Sequence, residues 1–155
     1  CPQHNHGTVI TYTAPINDII IECEFKLPAQ EGPNRHFRIF LDQAGYAGHN
    51  IQSTANLSST FRPVGFTLQH LLKDKEKKSV ADVDFGLEAL NLKGDVWYTM
   101  RLEVLGDKAR TTVAGKTLGG QLPGLNVEKS KIGLNPGLAG GSIRNLKAWE
   151  VDTGS

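Results

Sequence analysis

DIIIECEFKL, residues 18–27, decides the fold class. Ile19, Ile21, Cys23, Phe25 and Leu27 share one parity, and Asp18, Glu22, Glu24 and Lys26 the other, with Ile20 as the exception. Successive side chains of an extended chain point to opposite faces. A period of two held over residues 18–27 therefore predicts a strand with one buried and one wet face. The wet face argues for an antiparallel sheet, because parallel strands are usually covered on both sides. On this reading Cys23 is a small core residue and not a nucleophile.

Working outward, further strands are expected in TVITYT (8–13, before a turn at Pro15), HFRIFLD (36–42), a weaker NIQSTA (50–55) and VGFTLQHLL (64–72). WYTMRLEVLGD (97–107) points Tyr98, Met100, Leu102 and Val104 inward, and ARTTVAGKTLGG (109–120) reads as a hairpin turned at Ala114-Gly115. KIGLNPG (131–137) and SIRNLKAWEV (142–151) complete the set. The best helix candidate, Ser79–Leu87, is short, and KDKEKK (73–78) reads as a solvated loop. Strands separated by turn signals, with no repeat of 20–50 residues, indicate an all-β sandwich or barrel and a single domain over 1–155.

Composition narrows the function classes. Seventeen basic and sixteen acidic residues leave a net charge of +1, which gives no overall electrostatic footprint for nucleic acid or an anionic membrane. No apolar run reaches the roughly eighteen residues of a membrane-spanning helix. Met100 is the only methionine, so the chain reads as a processed mature form, secreted or periplasmic, or as a trimmed fragment. Cys1 also admits a lipidated N-terminus, and a Cys1–Cys23 disulfide stays open on sequence alone.

DVWYTMRLEVLGDKARTTVAGKTLGG, KIGLNPGLAGGSIRNLKAWEV, DIIIECEFKL and VGFTLQ together resemble concanavalin-like jelly rolls. They are similar to the secreted bacterial domains known as 3-keto-disaccharide hydrolases, in a short planctomycete-type subgroup. The resemblance spans roughly residues 6 to 151. It implies a jelly-roll sandwich of two antiparallel sheets, laminin-G-like, whose concave face cradles a sugar. It also implies a strand upstream of Cys1, supplied by a lost segment or by a partner chain. Two departures stand out. RHFRIFLDQAGYAGHN lacks the Asn-Ser-Gly of the larger family, which counts against hydrolysis. Ala114-Gly115 replaces the Asn-Gly that such hairpins favour.

Histidine titrates near neutrality and ligates metals, so it leads the search for chemistry. His4 and His6, two apart, would point the same way on a strand, a spacing that two ligands of one divalent ion (calcium or zinc) can use. The subgroup resemblance implies that His6 and His49, the latter in the glycine-rich AGYAGHN, meet across the sandwich as the catalytic pair. His70 shares the parity of Phe66 and Leu68 and reads as a core or edge histidine, while His36 adjoins a strand start. Arg38 and Asp42 share the polar side of one strand, Arg101 and Glu103 that of another, and Gln69 and Trp97 take outward parity on theirs. These six are the candidate sugar contacts; Trp149, Tyr46 and Tyr98 are the other aromatic residues considered as platforms. Nucleophile-elbow, phosphate-loop, zinc-protease and Cys-x-x-Cys motifs are absent, and no spacing nominates the carboxylate pair of a glycosidase. Three readings follow: a hydrolase of a 3-keto-glycoside, a non-catalytic glycan-binding module, or an assembly subunit completed by a partner strand.

Overall fold

Strand β2 (Ile19–Lys26) alternates buried and half-buried side chains along its whole length, with Ile21 and Cys23 fully covered. The computed structural model describes residues 10–29, 35–58, 64–136 and 141–151. The other strands are β1 (Ile10–Ile16), β3 (Arg35–Asp42), β4 (Ala47–Ser58), β5 (Gly65–Lys73), β6 (Ser79–Ala89), β7 (Trp97–Leu105), β8 (Lys108–Val113), β9 (Lys116–Gln121), β10 (Lys129–Asn135) and β11 (Ser142–Glu150). One sheet has the order β1-β10-β3-β4-β5-β6 and the other β11-β2-β7-β8-β9, with every pairing antiparallel.

The two sheets bury one apolar layer between them. Phe25 of β2 stacks on Phe37 of β3 with ring centroids 4.9 Å apart. Around them lie Ile39, Leu41, Phe66, Leu68, Met100 and Leu102, all fully buried. Each such side chain contributes about 1.5–3 kcal/mol when taken out of water. A polar tie crosses the layer between the sheets: the hydroxyls of Ser53 (β4) and Thr111 (β8) meet at 2.7 Å.

Three segments depart from the sequence expectation. Ser79–Leu87, expected to be helical, lies in β6. Val80, Val83 and Leu87 have helical spacing, but the open edge of β5 supplies a hydrogen-bond ladder, and tertiary pairing overrides local pattern. A bulge explains the odd spacing: Thr67 pairs with Leu87 but Gln69 with Asp84, and Gly86 (φ 122) donates its N–H to Asp84 Oδ1 at 2.9 Å. Strand β1 runs through Pro15 to Ile16, where an edge strand tolerates proline at a register shift between Thr13 and Ile16. The weak NIQSTA stretch is the middle of the twelve-residue β4. KDKEKK forms the exposed β5–β6 turn, in which Asp74 Oδ1 accepts the N–H groups of Glu76 and Lys78.

Ala114 (φ 50) and Gly115 (φ 84) both sit in the left-handed region, as the two-residue hairpin between β8 and β9 demands. An L-residue with a Cβ pays about 1 kcal/mol there. Ala114→Asn is expected to raise the unfolding free energy by about 0.5–1 kcal/mol in denaturant titrations.

Lys129 carries no signal in the sequence as a buried residue, yet it is 1% exposed. Its ammonium donates to the carbonyls of Asn17, at 2.9 Å, and Leu125, tying β10 to the β1–β2 turn and to a short 3-10 turn, Pro123–Leu125. Burial pushes its pKa down to about 8, against the opposing charge of Asp18. Between pH 8 and the ordinary 10.5 the native state therefore binds fewer protons than the unfolded chain, so stability gains as pH rises through that window. Cys23 works the other way: burial, then Glu22 and Glu24, push its thiol up to about 12, so its contribution falls above pH 9. Comparison with Lys129→Met isolates the lysine. The wild-type-minus-variant stability should climb by about 3 kcal/mol between pH 7.5 and 10.5 in denaturant titrations.

Candidate functional site

The outward parity of β10, β3, β4, β5 and β6 builds a grid on the six-stranded sheet. One row reads Asn135, Arg38, Thr54, Thr67, Leu87, and the next Gly133, Phe40, Gln52, Gln69, Asp84. Within it Arg38 Nε donates to Thr54 Oγ1 at 3.0 Å, and Gln52 Nε2 to Gln69 Oε1 at 3.1 Å. The floor is closely packed, with Phe40, Gln52, Thr54, Asn56 and Thr67 each 7% exposed or less, whereas Leu87 on the β6 flank is 42% exposed. Gln52 Oε1 is buried with no hydrogen-bond partner among the described residues. A buried acceptor left unpaired costs about 1–3 kcal/mol, which a donor would recover.

At one end of the grid lies a charged group. His49 Nδ1 is 2.5 Å from Asp42 Oδ1, and Lys131 Nζ is 3.2 Å from Asp42 Oδ2. His49 and Ile51 have the same parity, and simple alternation would send both inward. A register shift in β4 between His49 and Gln52 turns the histidine onto the outer face, against the Phe40 ring with centroids 4.1 Å apart. Since a carboxylate only accepts, Nδ1–H donates to Asp42.

The other expected site residues are scattered. Trp97, Arg101 and Glu103 lie on β7 with the outward parity of the five-stranded sheet, on the opposite side of the sandwich from Arg38, Asp42, Gln69 and His49. The six expected sugar contacts thus form two groups of three. His4 and His6 fall outside the described residues, and so does any His6–His49 contact; Cys1 does as well. Among the described residues no three His, Cys, Asp or Glu side chains group as metal ligands. His70 is the core histidine expected: it is buried, and Nδ1 donates to the Asn50 carbonyl at 2.5 Å. Trp149 is an exposed edge residue, and Tyr46 is exposed in the β3–β4 turn.

Gln52 and Thr54 were absent from the expected contacts although β4 alternates through them. The inward positions between are Ser53 and Ala55, too small and too polar to mark a buried face. Phe40 was hidden differently, as an aromatic residue on the polar parity. It is accommodated because Gly133 lies beneath it, where a Cβ would fall 2.0 Å from a ring carbon.

No protein-family model matches the chain, and no curated protein matches it. Solved structures do. A homodimeric agglutinin from chicken liver superposes with a TM-score of 0.66 at 4% identity, over 92% of this chain and 100% of the agglutinin. A toad ovary galectin in complex with thio-digalactose gives 0.65 at 10% identity, over 91% and 98%. A tetrameric galectin from the ball sponge Cinachyrella gives 0.62 at 13% identity, over 92% and 99%. The chain has the galectin-type jelly-roll fold. That agrees with the concanavalin-like jelly roll implied by the sequence resemblance, while these neighbours are galectins and not 3-keto-disaccharide hydrolases. Among the described residues no helix is long and apolar enough to cross a membrane.

Gly133→Ala should destabilise the protein by about 1–3 kcal/mol in chemical denaturation, because the new methyl must lift Phe40 off the sheet. The displaced ring would also lose its contact with His49, which a shift of the His49 ring proton resonances would report.

Proposed function

We propose that this protein is a carbohydrate-binding module and that the sugar lies on the outer face of the six-stranded sheet. The observation that carries the proposal is two adjacent rows of hydrogen-bonding side chains, Arg38, Thr54 and Thr67 in one and Gln52 and Gln69 in the next, set on neighbouring strands. A sugar offers many hydroxyls that both donate and accept, and such amides, hydroxyls and guanidinium groups match them. Side chains held on strands keep their geometry better than side chains on loops. Gln52 Oε1, buried without a partner among the described residues, keeps an acceptor site for a hydroxyl. The galectin-type fold, in which the toad protein was solved with thio-digalactose, adds support.

The test is a glycan array followed by titration calorimetry of the hits. Arg38→Ala and Gln69→Ala are each expected to weaken binding about tenfold, equivalent to about 1.4 kcal/mol, with the thermal midpoint little changed. Wild-type protein that binds no glycan, or variants that bind as well as wild type, would overturn the proposal.

The His49–Asp42 pair favours a second reading, hydrolysis of a 3-keto-glycoside with His49 carrying the proton and Asp42 orienting it. Against it stands the absence of the Asn-Ser-Gly segment. The same array, read for released sugar, separates the two. Turnover abolished by His49→Ala with binding retained would establish the hydrolase, and binding without release would leave the module.

A further inference from the structure

We propose that the outer face of the five-stranded sheet is a second binding surface, suited to a saccharide chain bearing carboxylate or sulfate groups. It uses none of the residues of the six-stranded face and stands independently of the function proposed above. Register aligns Trp149, Ile20, Glu103, Arg110 and Gly119 in one row across the five strands, and Lys147, Glu22, Arg101, Thr112 and Thr117 in the next. The face carries Lys26, Arg101, Lys108, Arg110, Arg144 and Lys147 against Glu22, Glu24 and Glu103, with Asp95 paired to Lys26 at 3.5 Å and Asp107 bonded to Gln121 at its rim. A chain of net charge +1 thus concentrates cations on one side.

The carboxylates there serve to hold the arginines. Glu103, with its side chain 13% exposed, takes Arg101 Nε on one oxygen at 2.8 Å and an Arg110 nitrogen on the other at 2.6 Å. Burial would raise its pKa, but the hydrogen bonds from Arg101 and Arg110 outweigh that and keep it below the usual carboxylate range. Glu103 is therefore an anion with both oxygens occupied; Arg101 also meets Glu22 at 3.4 Å, so these four charges balance and the surplus positive charge of the face comes from its lysines. Lys108 and Lys147 make no ion pair among the described residues. Beside Arg110 opens a groove of about 460 Å³, bounded by Glu103, Leu105, Lys108, Arg110 and Gln121 and floored by Gly119, which has no side chain to fill it. Planar guanidinium groups and ammonium groups bind carboxylate and sulfate oxygens.

Trp149 indicates a saccharide. Its indole is 43% exposed at the far end of the same row, with Arg101 5.7 Å from the ring centroid. Four strand spacings, roughly 19 Å, separate it from Gly119, which suits a chain of several sugar units. The indole and Leu105 meet the apolar C–H faces of the rings while the cations meet the acidic groups. Trp97 is covered, with the Arg144 guanidinium 3.9 Å over its ring.

The experiment measures binding of the whole protein to polygalacturonate, chondroitin sulfate, neutral dextran and a thymidine oligonucleotide at low and moderate salt. Polygalacturonate carries carboxylate alone and chondroitin sulfate carries both carboxylate and sulfate, so binding to the second but not the first assigns sulfate as the group recognised. Binding to one or both, weakened by salt and stronger than to dextran or the oligonucleotide, is expected. Lys108→Gln with Arg110→Gln should weaken it at least tenfold, Lys108→Gln alone and Trp149→Ala about threefold each. Lys75→Gln with Lys78→Gln, in the distant β5–β6 turn, should leave it within twofold, as should Gln69→Ala on the other face. Lys108→Gln removes an exposed side chain with no ion pair, so its result stands even if the double variant folds poorly. The proposal fails if neither acidic polymer binds, if the oligonucleotide binds more tightly, if the Lys75/Lys78 control loses as much as the groove variants, or if Gln69→Ala rather than the groove variants abolishes binding.

Discussion

A single apolar layer between two sheets governs the rest of this structure. Each strand gives one parity to that layer, where Phe25 stacks on Phe37 and Ser53 meets Thr111 across the sheets. The other parity must then appear on one of two outer faces, and no side chain belongs to both. Every polar residue of a strand is thereby assigned to a surface by which sheet its strand joins, a property of strand order and not of local sequence. Arg38, Asp42 and Gln69 look no different in the sequence from Arg101, Glu103 and Trp97, yet β3 and β5 lie in one sheet and β7 in the other.

Where alternation breaks, chemistry is redirected. The shift in β4 brings His49 out to Asp42 and Phe40 when its parity would have buried it beside Ile51. The bulge in β6 turns Phe85 toward Gly120 of β9, where a Cβ would fall 2.1 Å from the ring. In β11 the shift after Arg144 leaves Asn145 at φ 55, from which its amide joins Arg144 on Glu24, and the two hydrogen bonds lower that carboxyl's pKa. A bulge re-aims a side chain by bending and twisting the strand locally while the pairing continues on either side. These three are therefore among the features that most shape the surfaces.

This also explains what was legible in advance. Strands β2 and β7 were plain because bulky apolar residues fill every inward position, and Cys23 was read as core for the same reason. Residues 79–89 were not, because a bulged edge strand mimics helical spacing and only the neighbouring β5 resolves the ambiguity. The polar row of β4 was dim because Ser53 and Ala55 carry little hydrophobic signal. Lys129 was invisible, since its burial depends on carbonyls of Asn17 and Leu125 that converge only when the end of the sandwich closes. Alternation within β3 puts Arg38 and Asp42 on one side of their strand, whereas which of the six expected contacts share a face depends on the strand order.

Net charge shows the same limit. A total of +1 suggests a chain with no electrostatic preference, but the sandwich divides its charges unevenly. The outer face of the six-stranded sheet carries Asp42, Asp82 and Asp84 with Arg38 and Lys131, around a floor of neutral amides and hydroxyls. Six cations stand on the outer face of the five-stranded sheet with Glu22, Glu24 and Glu103, and Asp95 pairs with Lys26 at its rim. The two outer faces therefore present different chemistries, neutral amides and hydroxyls at the centre of one and a cluster of cations with their paired carboxylates on the other.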